Sequence, residues 1–262
     1  MKKIIFIDID RTLCNSKSEI TDRTINAINN FQDNGGIVVI SSGRNIKYIE
    51  SLNTSALYFI ALNGSIIYDC SDKKIIYQSN ISQGLNETLY LLANEFNLNV
   101  SFYSYYDKYC NHDEKNSVVI KENYQFFLNS SFNQIVFWSD NFEMLLAVKK
   151  RIKDFSTLQI VNQSRDILYE DEDYPQRGRF LDITNNGVSK GNSIKILLNY
   201  LGLMKKDSIA IGDGINDLSM FEVVGTKVAM GNADSFLKEN ADYITLSNDE
   251  NGVAYYLENL LK

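Results

Sequence analysis

The sequence predicts an α/β protein carrying an α+β insertion, and three observations lead there. Short apolar runs rich in β-branched residues alternate with amphipathic stretches at both ends of the chain. Polar clusters stand directly after those runs, where a parallel sheet would present them to one edge. The middle of the chain is dense in aromatics and follows a different order of elements.

The first run, residues 3 to 8, reads as a buried parallel strand. Thr21 is placed to cap a helix over 22 to 34, with Ile25, Ile28 and Phe31 on one face and Gly35-Gly36 ending it. Ile37 to Ile40 is a second strand and Leu57 to Leu62 a third. Ile66 to Tyr68 and Ile75 to Tyr77 read as a hairpin around Cys70 to Lys74. The alternation returns late: helix from Lys190 to Tyr200, strand 208 to 211, helix 215 to 223. A strand at 228 to 230, a short helix 235 to 239, a strand 243 to 245 and a final helix over 250 to 261 follow. Strands alternating with helices imply a Rossmann-like parallel sheet with helices on both faces.

Between these halves, helical stretches at 84 to 96 and 141 to 153 mix with strands at 99 to 105, 133 to 138 and 157 to 161. The expected boundaries are therefore 1–81 with 184–262 for the core, and 82–183 for the inserted domain. Its aromatic residues are expected to be mostly packing. Glu170 to Asp173 and Lys149-Lys150-Arg151 are expected to be solvated charge runs.

Hydrophobic residues make up 44% and charged residues 23% of the 262, which is ordinary for a globular chain. The net charge of −7 disfavours nucleic acid as the main partner. An anionic substrate would thus need a local cation. Cys14, Cys70 and Cys110 are odd in number and widely spaced, which suits reduced thiols and a cytoplasmic location. No stretch approaches the length of a membrane span. A monomer or weak dimer is expected.

Four clusters fall at strand ends: Asp8 and Asp10, Ser41-Ser42-Gly43-Arg44, Asn63-Gly64, and Gly212 to Asp217. Lys190-Gly191 opens the helix after the insertion. Carboxylates gathered in one crevice need a cation. Mg²⁺ suits them, because it takes hard oxygen ligands and completes its shell with water and a substrate phosphate. The single histidine, His112, lies in the insertion and reads as a loop residue, so no nitrogen or sulfur donor cluster is expected. A carboxylate can attack phosphorus, and a second one two residues on can move protons. Ser42 and Lys190 can hold phosphoryl oxygens, and Asp213 the metal.

Taken singly, each feature has a plainer reading. Asp8 and Asp10 could end a strand, Ser42 could cap a helix, and GDGIND could be a glycine turn. Lys190 fits least well as a solvated lysine, because a cation at a helix start opposes the dipole.

As an ordered set, these motifs resemble the haloacid dehalogenase superfamily phosphatases, of the Cof-type group with a type IIB cap. Asp8-Ile9-Asp10-Arg11-Thr12-Leu13 is similar to the first motif, and Ser42 matches the second-motif hydroxyl. Lys190 matches the third-motif lysine, and Gly212 to Asp217 the acidic fourth motif. Val228 to Ala233 and Asn248 to Val253 resemble the group's C-terminal signatures. The resemblance implies that Asp8 is the nucleophile and a Mg²⁺ ligand. Asp10 would be the general acid/base and bind Mg²⁺ through its carbonyl, with Asp213 as third ligand and Asp217 in support. Ser42, Gly43, Arg44, Asn63, Gly64, Lys190 and Asn216 would face the substrate. The implied substrate is a small phosphorylated metabolite, a sugar phosphate or a compound such as pyridoxal phosphate, with the cap closing over it. Relatives mostly carry Gly where this chain has Arg11. A phosphomutase and a phosphate-accepting receiver module are the competing readings. The receiver is disfavoured by its shorter length and lack of a GDGIND cluster.

Overall fold

The computed structural model describes residues 3–114, 117–164 and 179–261. The expected acidic loop at Glu170 to Asp173 lies outside the described residues. The chain divides into two compact units, Met1–Tyr77 with Ser189–Lys262, and Gln78–Val188. The division falls a few residues outside the expected 82 and 183, because the strand Arg179–Asn185 carries the insertion's sheet past 183.

In chain order the first unit supplies β1 (Ile4–Ile7), β2 (Ile37–Ser41), β3 (Tyr58–Ala61), β4 (Ile66–Asp69) and β5 (Lys74–Gln78). The insertion supplies β6 (Asn99–Tyr103), β7 (Lys108–Cys110), β8 (Val118–Val119), β9 (Gln134–Ser139), β10 (Leu158–Gln163) and β11 (Arg179–Asn185). The first unit is completed by β12 (Ser208–Gly212), β13 (Thr226–Ala229) and β14 (Tyr243–Ile244).

The first unit's sheet has eight strands in the order β14-β13-β12-β1-β2-β3-β4-β5. It is parallel from β14 to β3, and β4 turns antiparallel against β3. Each residue of β1 is fully buried, as expected of a central parallel strand. The register pairs Ile7 with both Ile40 and Ile211. Asp8, Ser41 and Gly212 therefore stand side by side at the carboxyl edge. The register alone sets this alignment of residues more than 200 positions apart.

Thr21 caps the helix Asp22–Asp33 by accepting from the Thr24 amide, at 3.3 Å. That helix buries Thr24, Ala27, Ile28 and Phe31, and packs against the final helix Gly252–Leu260. The predicted helix over 215 to 223 is a tight turn, Ile215–Asp217, leading into Leu218–Phe221. After β3 the chain runs through three consecutive left-handed residues, Leu62, Asn63 and Gly64, at φ 51°, 54° and 103°. Gly64 is required there. A Cβ would come within 2.2 Å of the Ser189 carbonyl oxygen, at the start of the helix Lys190–Leu201.

The insertion folds on its own six-stranded sheet, in the order β10-β11-β9-β6-β7-β8. Phe102, Phe127, Phe132 and Phe137 are fully buried in its core, and the rings of Phe102 and Phe127 meet edge to face at 4.8 Å. Tyr105, Tyr106 and Phe126 stay exposed.

Two expectations fail in this unit. Lys149 is buried rather than solvated, since its place in the helix Phe142–Ile152 puts it one turn from Leu145 and Ile152 on the inward side. His112 lies in the bend after β7, as expected of a loop residue, but the expected lack of a nitrogen or sulfur donor cluster fails. The His112 side chain is 22% exposed, and its donor atom gathers with those of Cys110 and Glu114 within 4.8 Å. A nitrogen and sulfur donor cluster thus exists, and the turn after β7 creates it.

No described helix is long and apolar enough to cross a membrane. Replacing Gly64 by alanine should cost about 2–4 kcal/mol, from left-handed strain and overpacking together. Urea denaturation of Gly64→Ala against the parent protein measures this.

Candidate active site

β1 ends at Ile7, and the chain then makes one wide turn. The Leu13 amide donates to the Asp8 carbonyl (3.1 Å), and the Cys14 amide to the Ile9 carbonyl (2.9 Å). Within the turn Asp10 is extended and Arg11 left-handed, at φ 62°. This break in helicity separates the two acids. Asp8 points inward and is 6% exposed, while Asp10 lies outside and meets Arg44.

Asp8, Asp213 and Asp217 bring their carboxylates together, all buried. The Lys190 ammonium sits among them. It donates to Asp8 Oδ1 at 2.6 Å and to Asp217 Oδ1 at 2.7 Å, and is 1% exposed. The other oxygen of Asp217 accepts from the amides of Asp213 (3.0 Å) and Gly214 (3.1 Å). Asp217 therefore closes the GDGIND turn and anchors the lysine at once. Asp213 Oδ1 accepts from the Thr12 hydroxyl at 2.9 Å.

The charges do not balance. One buried ammonium faces three carboxylates, and desolvation penalises each unpaired charge. Burial pushes Asp8 well above the usual carboxylate range. Lys190 opposes this, and Asp217 and Asp213 add to it. Burial and the neighbouring Asp217 push Asp213 up to about 7, against Arg11 and the Thr12 hydrogen bond. Burial alone would lower Lys190, but Asp217 and Asp8 more than reverse it, so the ammonium stays charged. An all-oxygen donor set short of positive charge fits a hard divalent cation such as Mg²⁺. Asp8 and Asp213 are the carboxylates best suited to hold it, because both oxygens of Asp217 already serve the lysine and the backbone.

The remaining candidates line the same strand edge. Ser42 is buried, and its hydroxyl accepts from the Arg44 amide at 3.2 Å. Its carbonyl accepts from the Asn63 amide at 3.0 Å, tying the second cluster to the third. Asn216 donates to the Asn63 side chain at 3.3 Å. Gly43 packs so near Asn63 that a Cβ would come within 3.0 Å of its amide. Arg44 grips Asp10 with two bonds of 3.0 and 2.9 Å and stacks over Tyr48 at 5.0 Å. Asp10 is thus the one proposed acid whose carboxylate lies away from the buried cluster.

Two partners were not singled out from sequence. Thr12 holds Asp213, and Asn232 receives from Arg11 through its carbonyl while donating back to the Arg11 carbonyl at 2.8 Å. Asn232 also accepts from the Asn248 amide at 2.9 Å. Both lie inside motifs already quoted, but short polar residues there look like turn chemistry. Arg11 itself lies 3.6 Å from Asp213, at the rim, with a side chain 63% exposed. It adds a tethered positive charge at the edge of the acid cluster.

A family model described as haloacid dehalogenase-like hydrolase matches residues 5–257 of the chain. The chain is 30% identical to a Bacillus subtilis 5-amino-6-(5-phospho-D-ribitylamino)uracil phosphatase, over 96% of its own length and 93% of that protein's. It is similar to a crystal structure of a haloacid dehalogenase-like hydrolase from Bacteroides thetaiotaomicron, at TM-score 0.81 and 27% identity, covering 99% and 100% of the two chains. It shares its fold with a HAD subclass IIB sugar phosphatase, at TM-score 0.77 and 23% identity over 99% of each.

Two outcomes follow from the charge imbalance. Lys190→Met leaves Asp8 and Asp217 buried without their cation, and should cost about 3–5 kcal/mol in chemical denaturation. The pKa of Asp213 in the folded state, about 7, lies above its ordinary 3.8, so the folded state keeps a proton that the unfolded chain releases. Stability of the metal-free protein should therefore fall as pH rises from about 4 to about 7. Asp213→Asn should flatten that slope in a pH series of melting temperatures.

Proposed function

The chain belongs to the haloacid dehalogenase-like hydrolase family, and on that premise we propose that it is a Mg²⁺-dependent phosphatase of small phosphorylated metabolites, working through a phosphoryl group carried on Asp8. The observation that carries this reading is the Asp8 carboxylate, fixed at the end of the central strand by Lys190 with Asp213 and Asp217 beside it. Phosphoryl transfer asks for positioning and neutralised charge, and this cluster supplies the first and invites the second.

In the first step an oxygen of Asp8 attacks phosphorus, and the bond to the ester oxygen breaks. Asp10 gives a proton to the departing alkoxide. In the second step Asp10 takes a proton from water, the water oxygen attacks phosphorus, and Asp8 is released with inorganic phosphate. Ser42 and Lys190 hold phosphoryl oxygens throughout. Arg44 keeps the Asp10 carboxylate at the mouth of the site until a phosphorylated substrate competes for the guanidinium. Asn63, Gly64, Gly43 and Asn216 shape the substrate side. Mg²⁺, when bound, neutralises charge on the phosphoryl oxygens; Asp8, Asp213 and the Asp10 carbonyl would hold it, with Asp217 in support.

The inserted domain is the proposed source of substrate selectivity. The Bacillus subtilis relative's named substrate is a phosphorylated ribitylamino compound. That supports sugar phosphates and phosphorylated polyols as the first compounds to try, with pyridoxal phosphate after them.

Asp8→Asn should abolish Mg²⁺-dependent phosphate release across such a panel, and full turnover in that variant would sink the mechanism. Asp10→Asn should lower kcat by about 10²–10⁴-fold while Asp8 still takes up a phosphoryl group, seen as a mass increase on intact protein. Product analysis separates hydrolysis from transfer to a second hydroxyl, which would yield an isomer and little free phosphate.

A further inference from the structure

We propose that Cys110, His112 and Glu114, on the inserted domain, form a site for a thiophilic divalent transition metal, with Zn²⁺ as the reference ion. Alternate residues in the sequence bring the three together at the end of β7. Cys110 Sγ lies 3.7 Å from Glu114 Oε2, and His112 Nε2 lies 3.1 Å from the same oxygen. Zinc bond lengths of about 2.3 Å to sulfur and 2.0–2.2 Å to nitrogen and oxygen put tetrahedral donors about 3.3–3.6 Å apart. The observed spacings bracket that range. Three protein donors leave the fourth position to water, and the partly exposed His112 and Glu114 side chains, at 22% and 39%, leave a way in.

The hydrogen bonds around the histidine give independent support. The Asn111 side chain is fixed from both ends: its Oδ1 accepts from the Val100 amide (2.9 Å) and its Nδ2 donates to the Leu98 carbonyl (2.8 Å). Its oxygen therefore faces His112 Nδ1, 3.1 Å away, and that nitrogen must carry a hydrogen. The lone-pair side of Nε2 then points at a carboxylate oxygen. Two lone pairs at 3.1 Å repel, so a positive centre belongs between them, either a proton or a metal. A metal-bound histidine commonly donates its other ring N–H to an oxygen acceptor that fixes the ring, and the Asn111 side-chain oxygen stands in that position.

The rest of the cluster agrees. Lys108 pairs with Glu114 Oε1, which leaves Oε2 turned to His112. The Ser101 hydroxyl lies 3.3 Å from Cys110 Sγ, placed to donate to a thiolate. Burial raises the Cys110 thiol, against Ser101 and Lys108, so the sulfur carries a proton until a cation displaces it. Binding releases the thiol proton to solvent as the metal ion takes its place on sulfur. Thiolate and imidazole favour zinc, cobalt or copper over magnesium, so this site and the acid cluster select different ions.

Co²⁺ serves as the probe, on the full chain with its thiols reduced. Asp213→Asn is used as the background to weaken the acid cluster. One equivalent of Co²⁺ should give thiolate-to-metal charge-transfer absorption that Zn²⁺ abolishes by displacement and excess Mg²⁺ does not. The absorption should persist in Cys14→Ser and Cys70→Ser and vanish in Cys110→Ser. His112→Asn, a change at a partly exposed side chain, should weaken Zn²⁺ binding tenfold or more in competition with a chromophoric chelator. Absence of the charge-transfer absorption, its survival in Cys110→Ser, or unchanged Zn²⁺ affinity in His112→Asn would each overturn the proposal and leave a proton-bridged ion network in its place.

Discussion

The clamp of Lys190 on Asp8 and Asp217 is the interaction on which the rest of the site depends. An ammonium buried to 1% exposure would be untenable alone, and two buried carboxylates equally so. Together they hold the end of β1, the turn after β12 and the start of the helix Lys190–Leu201 in one place. The lysine also stands at a helix N-terminus, where the dipole disfavours it. The two carboxylates override that local penalty. Close packing makes the reach possible: at Gly191 a Cβ would come within 2.0 Å of the Ser219 carbonyl oxygen. The glycine beside the lysine lets the helix approach the turn that carries Asp217.

A deficit of positive charge remains inside that clamp, and it organises the periphery. Asp213 leans on Thr12, and Arg11 approaches from the rim. Arg11 adopts a left-handed conformation that non-glycine residues take at a cost of about 1–2 kcal/mol. Its bonds with Asn232 hold it there, and Asn232 in turn braces the segment at Asn248. Asp10 is excluded from the cluster by the same turn and is held outside by Arg44. The wide turn after β1 thus separates two acids two residues apart into a buried carboxylate and an exposed one.

The insertion follows a different physical logic. Its buried core joins a cluster of aromatic rings to a larger set of aliphatic residues, and its sheet is largely antiparallel, so most neighbouring strands pair without the crossover helices a parallel sheet needs. Its buried polar groups lie on strands and helices as well as in turns, among them Asn86, Ser101, Lys149 and Asp182, and Cys110, His112 and Glu114 at the end of β7 gather potential metal donors there among the described residues.

Much of the fold was legible because a central parallel strand is written as an uninterrupted apolar run, as in Ile4–Ile7 and Ile37–Ile40. The site candidates were legible because parallel topology sends strand ends to one edge. Short elements were not. The strands Lys108–Cys110 and Val118–Val119 have too few residues to show a period, and the helix Tyr124–Leu128 is hidden in an aromatic stretch. Asp8, Asp213, Asp217 and Lys190 could be named from sequence because their types and order carry the chemistry. Which oxygen meets which donor, that Asp10 faces Arg44, and that Cys110 and His112 meet Glu114 were decided by backbone turns. Those turns depend on left-handed residues and register, neither of which any single residue type dictates. By itself the sequence determined the layers of the core and the inventory of acids and cations. Only the tertiary structure decided their pairing, because burial sets the cost of an unpaired charge and the packed neighbours decide which partner can reach it.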